Sequence, residues 1–458
     1  MKILITGATG LVGTQLVKSL TTSGYEDLRI LTRDKSYYLK TSDFPIEAFE
    51  WDPDSKYIEN GALKGVDIII HLAGESVAEG RWSKLKKEKI LNSRINGTKL
   101  LIDEIKKLEI PPKKFISSSA VGIYGNRDEE SLSSNSELGT GFLAEVCKKW
   151  ESIALDHKIE GMKSHCIRTG IVLSTNGGAL TKMLAPFKAG VGGKLGTGDQ
   201  YMSWIHIDDL VGQFIFLLEN QGKYNIYNGV SPRPVSNYIF TKILGKELRR
   251  PTLFPVPAVV LKFIFGEMSE ILLASQKVIP TRFIEESYNY KFRSLKEALI
   301  NLLQHNIKGE EQLLKYQWIN YPPKEVFEFF TDEKNLEKIT PSHLKFKVQK
   351  KSTEKIKKGT FIDYKLSLHG IPLRWKSEIS SFEYNQHFVD KQVKGPYSKW
   401  NHYHGFIPLK KGTLIVDKIT YKVPMGLFGL LFMGRFVRND LNKIFNFRKK
   451  IINQLFTT

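Results

Sequence analysis

The chain begins with a glycine pattern that few folds accommodate. An apolar run at residues 2–6 leads into Gly7, Gly10 and Gly13, and an amphipathic stretch begins at Val12. Glycines at this spacing permit a tight turn, close approach of the backbone to a pyrophosphate, and close packing of helix on strand. The amides at the helix N-terminus add hydrogen-bond donors and partial positive charge. The pattern therefore predicts a βαβ unit that binds a dinucleotide.

The end of the second predicted strand bears on which dinucleotide binds. Residues 28–32 are followed by Arg33, at the place where NAD-specific folds carry an acidic residue for the ribose 2′-hydroxyl. A guanidinium pairs with a 2′-phosphate and stacks on adenine. Asp34 is adjacent and leaves NAD as the alternative. The sequence favours NADP(H) as the cofactor.

Strand-like and helical stretches alternate through the first half of the chain, which is typical of a doubly wound parallel α/β sheet. The predicted strands cover residues 2–6, 28–32, 48–51, 68–72, 114–118 and 163–169, and the predicted helices cover 12–20, 92–105 and 142–156. A short strand at 204–207 and a helix at 208–218 follow. Residues 236–303 are mostly helical, and we expect them to cover the carboxyl edge of the sheet. The first predicted domain spans residues 1–303.

From residue 310 to 458 the pattern changes to successive antiparallel strands and one long helix. The predicted strands cover residues 312–319, 361–368, 374–382, 388–393, 400–407 and 413–423, and the helix covers about 430–455. Strands followed by a single long helix predict an α+β domain.

Charge and cysteine content limit the class of protein. The net charge is +20, and residues 310–458 carry 27 Lys/Arg against 14 Asp/Glu. These charges are interspersed with apolar strand residues, so we expect a solvated basic surface and not a nucleic-acid partner, with anionic lipid at the terminal helix as the alternative. Cys147 and Cys166 fit reduced thiols. The apolar stretches are too short to span a bilayer and the first strand leaves no room for a signal peptide, so we expect a cytoplasmic location.

Several further motifs resemble those of extended short-chain dehydrogenases, the NAD(P)-dependent epimerase/dehydratase group. They lie at residues 71–74, 117–120 and 204–209. A second set narrows the resemblance to the atypical sugar-nucleotide-epimerase-like subfamily, which has a helical C-terminal extension. These motifs lie at residues 75–77, 81–82, 93–98, 120–125, 142–144, 280–283 and 292–299. The resemblance covers nearly all of the first domain.

The resemblance implies a set of cofactor-binding residues. They are Gly7, Thr9, Gly10, Leu11, Val12 and Gly13 at the pyrophosphate, Arg33 at the 2′-phosphate, Asp52 near the adenine, Leu72, Ala73 and Gly74 behind the ribose, Arg168 and Ile171 at the nicotinamide end, and Arg94 and Ser117 in the same cleft. For Leu72 and Ala73 the alternative is a place in the core. Because buried arginines need partners, Arg94 and Arg168 are stronger candidates than the apolar residues.

Catalysis in the wider family needs a tyrosine acid/base and a lysine four residues later, whose charge lowers the tyrosine pKa. The corresponding helix here carries Leu143 and Cys147 instead. The preceding strand retains serines, and we predict Ser119 and Tyr124 as the candidate catalytic residues. The alternative for Tyr124 is a structural or substrate-wall role.

We assign no catalytic role to four other polar residues. The one Tyr-x-x-x-Lys sequence, from Tyr238 to Lys242, lies past the sheet and is interpreted as coincidence. We expect His206 and Asp208 to form hydrogen bonds that fix the loop at residues 196–203.

Residues 311–456 resemble the SRPBCC superfamily of START-like helix-grip domains, in which an antiparallel sheet wraps a long helix around an apolar cavity. The resemblance implies an apolar or aromatic ligand, and aromatic residues alternate along the predicted strands. His402 and His404 face the same side of one strand, but the sequence offers no third ligand, so we expect hydrogen-bonding roles and no metal site.

Two functions remain open at this point. The first is an NADP(H)-binding epimerase or oxidoreductase that acts on a small molecule and carries an attached apolar-ligand domain. The second is a catalytically silent NADP(H)-binding protein that regulates or senses ligand binding.

Overall fold

The computed structural model describes residues 1–307, 309–424 and 426–456, which form two units with separate hydrophobic cores. The first unit comprises Met1–Thr41 and Ile46–Gln304, and the second comprises Ser42–Pro45 and His305–Thr458. No side-chain description covers residues 305–308, 425–432 or 435.

The first unit contains short and long elements in alternation. Its strands are β1 (Ile3–Thr6), β2 (Leu28–Thr32), β3 (Glu47–Asp52), β4 (Tyr57–Ile58), β5 (Ile68–His71), β6 (Lys114–Ala120), β7 (Ser131–Leu132), β8 (Lys163–Thr169), β9 (Ile171–Leu173), β10 (Tyr201–Met202), β11 (Trp204–His206), β12 (Ile226–Gly229), β13 (Val235–Ser236) and β14 (Lys277–Val278). Its helices are α1 (Leu11–Thr22), α2 (Lys35–Thr41), α3 (Lys84–Ile105), α4 (Phe142–Leu155), α5 (Gly178–Lys188), α6 (Ile207–Glu219), α7 (Asn237–Leu248), α8 (Ala258–Phe265), α9 (Glu270–Leu273), α10 (Thr281–Glu285) and α11 (Leu295–Ile307).

The main sheet of this unit has the order β12-β8-β6-β5-β1-β2-β3-β4. Its neighbouring strands are parallel except for β3 and β4. Every residue of β1 and β5 is buried, as expected where helices cover both faces of a parallel sheet. The strand order reverses between β1 and β5, and open α/β sheets bind ligands beyond the carboxyl ends of the strands at such a point. The predicted doubly wound Rossmann architecture is confirmed.

Among the elements that differ from the sequence expectation, two have a clear local cause. Helix α3 begins at Lys84, well before residue 92, because the hydroxyl of Ser83 caps it by accepting from the Lys86 amide at 3.2 Å. Its first turns are polar and show no apolar periodicity. The edge strand β12 was not predicted, because its Asn228-Gly229 sequence is typical of a turn.

The helical extension is held to the sheet domain by a buried acid. The two carboxylate oxygens of Asp209 accept the backbone amides of Lys291 at 2.7 Å and Phe292 at 3.0 Å. The Tyr288 hydroxyl donates to the Asp209 carbonyl oxygen at 2.9 Å. These bonds connect α6 directly to the segment between α10 and α11.

The second unit is an antiparallel sheet with one long helix. Its strands are β15 (Glu311–Ile319), β16 (Lys347–Lys351), β17 (Phe361–Leu368), β18 (Ile371–Glu383), β19 (His387–Lys394), β20 (Lys399–Leu409) and β21 (Gly412–Lys422), and its helices are α12 (Pro323–Thr331), α13 (Glu333–Lys338) and α14 (Gly426–Leu455). The sheet order is β15-β21-β20-β19-β18-β17-β16. Leu441, Phe445 and Ile452 of α14 are buried in the cores that this sheet forms. The predicted α+β helix-grip architecture is confirmed, while β16 and α13 were not expected.

None of the helices in the described ranges has the length and apolar character needed to cross a membrane.

Candidate functional site

The turn after β1 has room only for glycine at two positions. Gly7 adopts φ +69°, and a Cβ there would lie 2.8 Å from the backbone of Leu72 and Ala73. A Cβ on Gly13 would lie 2.2 Å from the carbonyl oxygen of Gly7. The Gly10 amide closes the turn by donating to that carbonyl at 3.0 Å. Two of the three roles predicted for these glycines, a tight turn and close helix packing, follow from this geometry.

Helix α1 points its N-terminus out of this turn. No side chain caps it at Gly10, and Thr9 and Gly10 are exposed. The amides of Leu11, Val12 and Gly13 belong to the first helical turn, where intrahelical acceptors are absent. The Leu11 side chain is the near neighbour of the Gly177-Gly178 loop. Amides without intrahelical acceptors at a helix N-terminus suit an anion, and the turn from Gly7 to Gly13, here called the glycine cradle, fits the pyrophosphate of a dinucleotide.

A buried hydrogen-bond chain fixes the strand ends beside the turn. Thr6 Oγ1 accepts the amides of Leu72 and Ala73, each at 3.2 Å, and pairs with His71 Nδ1 at 2.7 Å. His71 Nε2 lies 3.0 Å from Thr98 Oγ1, which donates to the Arg94 carbonyl at 2.7 Å. Burial lowers the pKa of His71 to about 3. The imidazole is therefore neutral, with its proton on Nε2, and the half-buried Leu72 and Ala73 are held by their backbone.

Arg33 lies at the open end of β2. Its side chain is exposed, and among the residues described here it has no hydrogen-bond or ion-pair partner. Its charge contributes to the lowered pKa of Asp52, whose main cause is a hydrogen bond from Ser55 at 2.7 Å. Asp52 also accepts the amide of Asp54 at 3.1 Å and so is largely engaged in its own turn. Within the described ranges, Arg33 is thus a cation without a partner at this edge.

Arg94, which the sequence predicts in the cofactor cleft, is held by backbone hydrogen bonds. Its Nη1 donates to the carbonyls of Glu75 and Ile90, both at 3.0 Å, and its guanidinium lies 5.1 Å from the Trp150 ring centroid. A Cβ on Gly74 would stand 3.1 Å from the Arg94 Cζ. Arg94 is therefore locked against the backbone at residue 74, as a buried arginine with partners should be.

Five buried side chains form a network behind the end of β6. Arg168 binds Glu151 through Nε to Oε1 at 2.8 Å and Nη2 to Oε2 at 2.7 Å. Ser119 Oγ donates to Glu151 Oε1 at 2.6 Å, and Arg168 Nη1 donates to Tyr124 Oη at 2.9 Å. Tyr124 Oη donates to Asn228 Oδ1 at 2.7 Å. The sequence did not identify Glu151 and Asn228 as site residues, because neither belongs to a motif with its own chemistry.

The network bears on the two catalytic candidates. Tyr124 is fully buried and Ser119 is 2% exposed. Burial raises the pKa of Tyr124, whereas hydrogen bonds to Glu151 raise that of Arg168 although burial opposes this. Both candidate hydroxyls donate to protein acceptors and stabilise the Arg168–Glu151 pair. Their catalytic roles stay predictions.

The helix that carries the tyrosine and lysine in the wider family has no proton-transfer group at those positions. Leu143 packs on Gly122, where an added Cβ would lie 3.2 Å from the Leu143 Cβ. Cys147 is buried, and burial raises the pKa of its thiol to about 11. The thiol is neutral near pH 7 and a weak nucleophile.

The remaining predicted residues are not part of this network. Ser117 is fully buried inside β6, and its hydroxyl donates to the Ser118 carbonyl at 3.0 Å. Ile171 begins β9 and is half-buried. Tyr238 and Lys242 lie on α7, with the ammonium 5.5 Å from the ring centroid of the exposed tyrosine.

The expectation that His206 and Asp208 fix the loop at 196–203 is wrong. His206 Nδ1 accepts the Asp208 amide at 3.0 Å and caps α6, and its ring lies 4.0 Å from that of Phe292. Asp208 Oδ1 accepts Gln15 Nε2 at 3.0 Å. Because both residues are at the start of α6, they connect that helix to α1 and to the extension, not to the preceding loop.

The second unit carries a buried polar cluster on the helix-covered face of its sheet. His402 stands opposite Asp390 of β19, and His404 stands opposite Asp417 of β21. His402 Nε2 donates to Asp417 Oδ1 at 2.9 Å, and His404 Nδ1 lies 3.1 Å from the same oxygen. Arg448 of α14 places Nη2 3.7 Å from it. We call these five residues the polar cluster.

Burial controls the charges of this cluster. It lowers the pKa of His404 to about 3 and raises that of Asp390. Arg448 and the two imidazoles hold the pKa of Asp417 well below its usual range although burial opposes this. Among the described residues, Asp390 Oδ1 and both Nε and Nη2 of Arg448 are buried without a hydrogen-bond partner, and the contact of His404 Nδ1 with Asp417 does not have hydrogen-bond geometry. Such groups are costly unless something binds them.

Aromatic groups flank the polar cluster on both sides. Phe406 lies 5.2 Å from Phe327 at one end, and Trp375 lies 5.2 Å from Trp400 at the other, measured between ring centroids. Both groups belong to the buried cores under α14. The interior of this unit is apolar except for the polar cluster, which lies between the two aromatic groups.

Comparisons with known proteins agree with the division of the chain into two units. The model of the NAD dependent epimerase/dehydratase family matches residues 3–228, a domain of unknown function (DUF1731) matches 256–302, and the polyketide cyclase/dehydrase and lipid transport family matches 319–446. The Arabidopsis thaliana protein named epimerase family protein SDR39U1 homolog, chloroplastic, is 36% identical over 66% of this chain and 87% of its own length. The mouse epimerase family protein SDR39U1 is 34% identical over 65% of this chain and 98% of its own length.

Solved structures resemble the first unit. The human epimerase family protein SDR39U1, solved with NADPH, has a TM-score of 0.60 and 30% identity, and the match covers 66% of this chain and 99% of that one. A nucleoside-diphosphate sugar epimerase from Corynebacterium glutamicum has a TM-score of 0.54 and 32% identity, covering 66% of this chain and 58% of that one.

Proposed function

Because the chain belongs to the NAD-dependent epimerase/dehydratase family, we propose that its first unit binds NADP(H) and uses it on a small-molecule substrate. One observation supports this above others: Arg33 presents an unpaired guanidinium at the end of β2, on the same sheet edge as the glycine cradle. The pyrophosphate site accepts either dinucleotide, so the 2′-phosphate contact decides between them. The NADPH-bound human relative supports the same choice.

The residues of this chain have separate tasks in that proposal. Gly7, Gly13 and the first amides of α1 would hold the pyrophosphate, and Arg33 would hold the 2′-phosphate. A nicotinamide cofactor supplies or accepts a hydride when it is bound. Arg94 and the backbone at Leu72 form the rigid wall that orients a substrate. With Leu143 and Cys147 in the acid/base positions, a substrate proton would have to come from the candidate residues Tyr124 or Ser119, from water, or from the substrate itself.

A test of cofactor choice is the binding of NADPH and NADH to Arg33→Ala. The loss of one charge-assisted contact should weaken NADPH by about 10- to 100-fold and leave NADH nearly unchanged. Lys40→Ala removes an exposed cation from the adjacent helix α2 and serves as the matched control. Equal loss of both nucleotides in Arg33→Ala would refute the 2′-phosphate assignment.

A second candidate function is regulation without turnover. It is favoured by Leu143 and Cys147, an apolar side chain and a neutral thiol where the wider family carries its proton donor. A panel of carbonyl compounds and nucleotide sugars, followed by NADPH oxidation, separates the two functions. Turnover that survives in Tyr124→Phe supports a reaction without a protein acid, and the absence of any turnover despite tight NADPH binding supports regulation.

We also propose that the second unit binds an apolar or aromatic molecule under α14. The aromatic groups around Phe406 and Trp400 would supply apolar contact area, and the polar cluster would orient the bound molecule. Mass spectrometry of small molecules released from the purified protein tests this directly. A cytoplasmic location stays a prediction, and the Arabidopsis relative is named as chloroplastic.

A further inference from the structure

The polar cluster has the composition of a metal site. Asp390, His402 and His404 each offer one donor atom, and these atoms all lie within 4.8 Å of one another. Two imidazoles and a carboxylate are the ligands that first-row divalent cations bind in proteins. The sequence provided no third ligand for the two histidines; the pairing of β19 with β20 supplies it by placing Asp390 opposite His402.

The donors are close to the spacing that an ion requires. Ligands at about 2.1 Å from a metal stand about 3 to 4 Å apart. The donor atoms here lie up to 4.8 Å apart, so the side chains need to close by less than about 2 Å to reach that range. Three neighbouring strand positions on one sheet face hold these side chains, so rotamer adjustments suffice.

Two of the unsatisfied atoms in the cluster, on Asp390 and His404, are ones that a positively charged partner would satisfy, whereas Arg448 Nε and Nη2 are donors that need an acceptor. Asp390 Oδ1 is buried without a hydrogen-bond partner among the described residues, and the 3.1 Å contact of His404 Nδ1 with Asp417 Oδ1 does not have hydrogen-bond geometry. A carboxylate oxygen accepts and cannot donate, and a neutral imidazole nitrogen binds a cation through its lone pair. A divalent cation would satisfy both atoms at once. An anionic ligand would meet two carboxylates, those of Asp390 and Asp417.

Asp417 and Arg448 lie next to the three proposed ligands and do not themselves bind the ion. Asp417 accepts from His402 Nε2 at 2.9 Å, which fixes that tautomer and leaves Nδ1 to face another partner. A carboxylate behind a ligating histidine is the common way in which proteins orient such rings. Arg448, 3.7 Å from Asp417, balances the second carboxylate.

We propose that Asp390, His402 and His404 bind a divalent transition-metal ion of the zinc and iron class inside the second unit. Three protein ligands leave at least one coordination position open. The open position would face the aromatic interior and take a polar group of a bound ligand, or water. This site does not depend on the dinucleotide proposal.

The test uses the full-length protein after chelator treatment, with Zn²⁺ and Co²⁺ as probes. Isothermal titration with Zn²⁺ should give about one equivalent, and Co²⁺ should give visible absorption bands that surface histidines do not produce. His402→Gln and Asp390→Asn should each weaken Zn²⁺ binding by at least 100-fold. His387→Gln, on the opposite face of β19 where its ring stacks on Tyr403, is the matched control and should bind as the unaltered protein does.

The unaltered protein alone is enough to overturn the proposal. If the stripped, folded chain takes up neither ion, no metal site exists there. If His402→Gln and Asp390→Asn bind with full stoichiometry and unchanged Co²⁺ bands, the ion lies elsewhere. NADPH affinity and circular dichroism of each variant show that a loss of metal is not a loss of fold.

Discussion

At the scale of single residues, the Arg168–Glu151 pair has the clearest energetic consequence. Both side chains are buried, with two contacts at 2.7 and 2.8 Å. Removing one partner of such a pair leaves an unbalanced buried charge, which costs about 3 to 5 kcal/mol. Glu151→Gln should therefore lower the free energy of unfolding of the first unit by that amount. Urea denaturation measures it.

A surface pair on the same helix provides the control. Glu145 accepts from Lys148 at 2.9 Å near the exposed side of α4. Exposed pairs contribute about 0 to 1 kcal/mol, so Glu145→Gln should leave the urea midpoint almost unchanged. Similar losses in the two variants would mean that burial of the Arg168–Glu151 pair does not control its energy.

The buried imidazole of His71 predicts a pH dependence. Burial lowers its pKa to about 3 in the folded state, whereas an unfolded histidine titrates near 6.5. The unfolded state therefore binds more protons between these values, so stability is full above pH 6.5 and falls as the pH drops. The part of the loss that His71 causes should approach about 2 kcal/mol between pH 6.5 and 4.5. His71→Gln should make the stability profile measured by urea denaturation shallower by that amount, and the two profiles should run parallel from pH 7 to 8.

At the scale of elements, Asp209 is the anchor of the helical extension. Its carboxylate accepts two amides, those of Lys291 and Phe292, and an asparagine can accept only through one oxygen. Asp209→Asn should increase hydrogen exchange across residues 281–303 by about 10-fold or more, since a buried amide loses its acceptor. Asp208→Asn is the control on the same turn, because that side chain is partly exposed and accepts from Gln15 instead. Equal protection in both variants would contradict the anchoring role.

Each element that was predicted from the sequence is marked by a pattern within its own residues. Strand β2 and strand β8 were predicted with their observed bounds, because apolar runs and turn residues define them within a few positions. Strand β12 was not predicted, because it forms only by pairing with the distant β8. The glycine cradle could be predicted for the same reason as β2: its requirement lies in seven consecutive residues.

The parts of the site that could not be predicted depend on strand pairing and packing. Asp390 becomes a neighbour of His402 only through the register of β19 and β20, and nothing local marks it. Tyr124 was placed near the cleft by its motif, but its hydroxyl is directed to Asn228, which lies 104 residues away. Local patterns specify which groups are present, and long-range pairing decides which groups meet.

At the scale of the whole molecule, the two units should respond to different ligands. Each unit has its own core, and the proposed NADP(H) and metal sites lie in different units. A ligand that binds only the native state stabilises that state by about 2.7 kcal/mol at 100 times its Kd. Differential scanning calorimetry of the full chain should show NADPH raising the Tm of one transition and Zn²⁺ raising the Tm of the other. His402→Gln should abolish only the Zn²⁺ shift and Arg33→Ala should reduce only the NADPH shift. A single transition that both ligands move together would show instead that the units unfold as one.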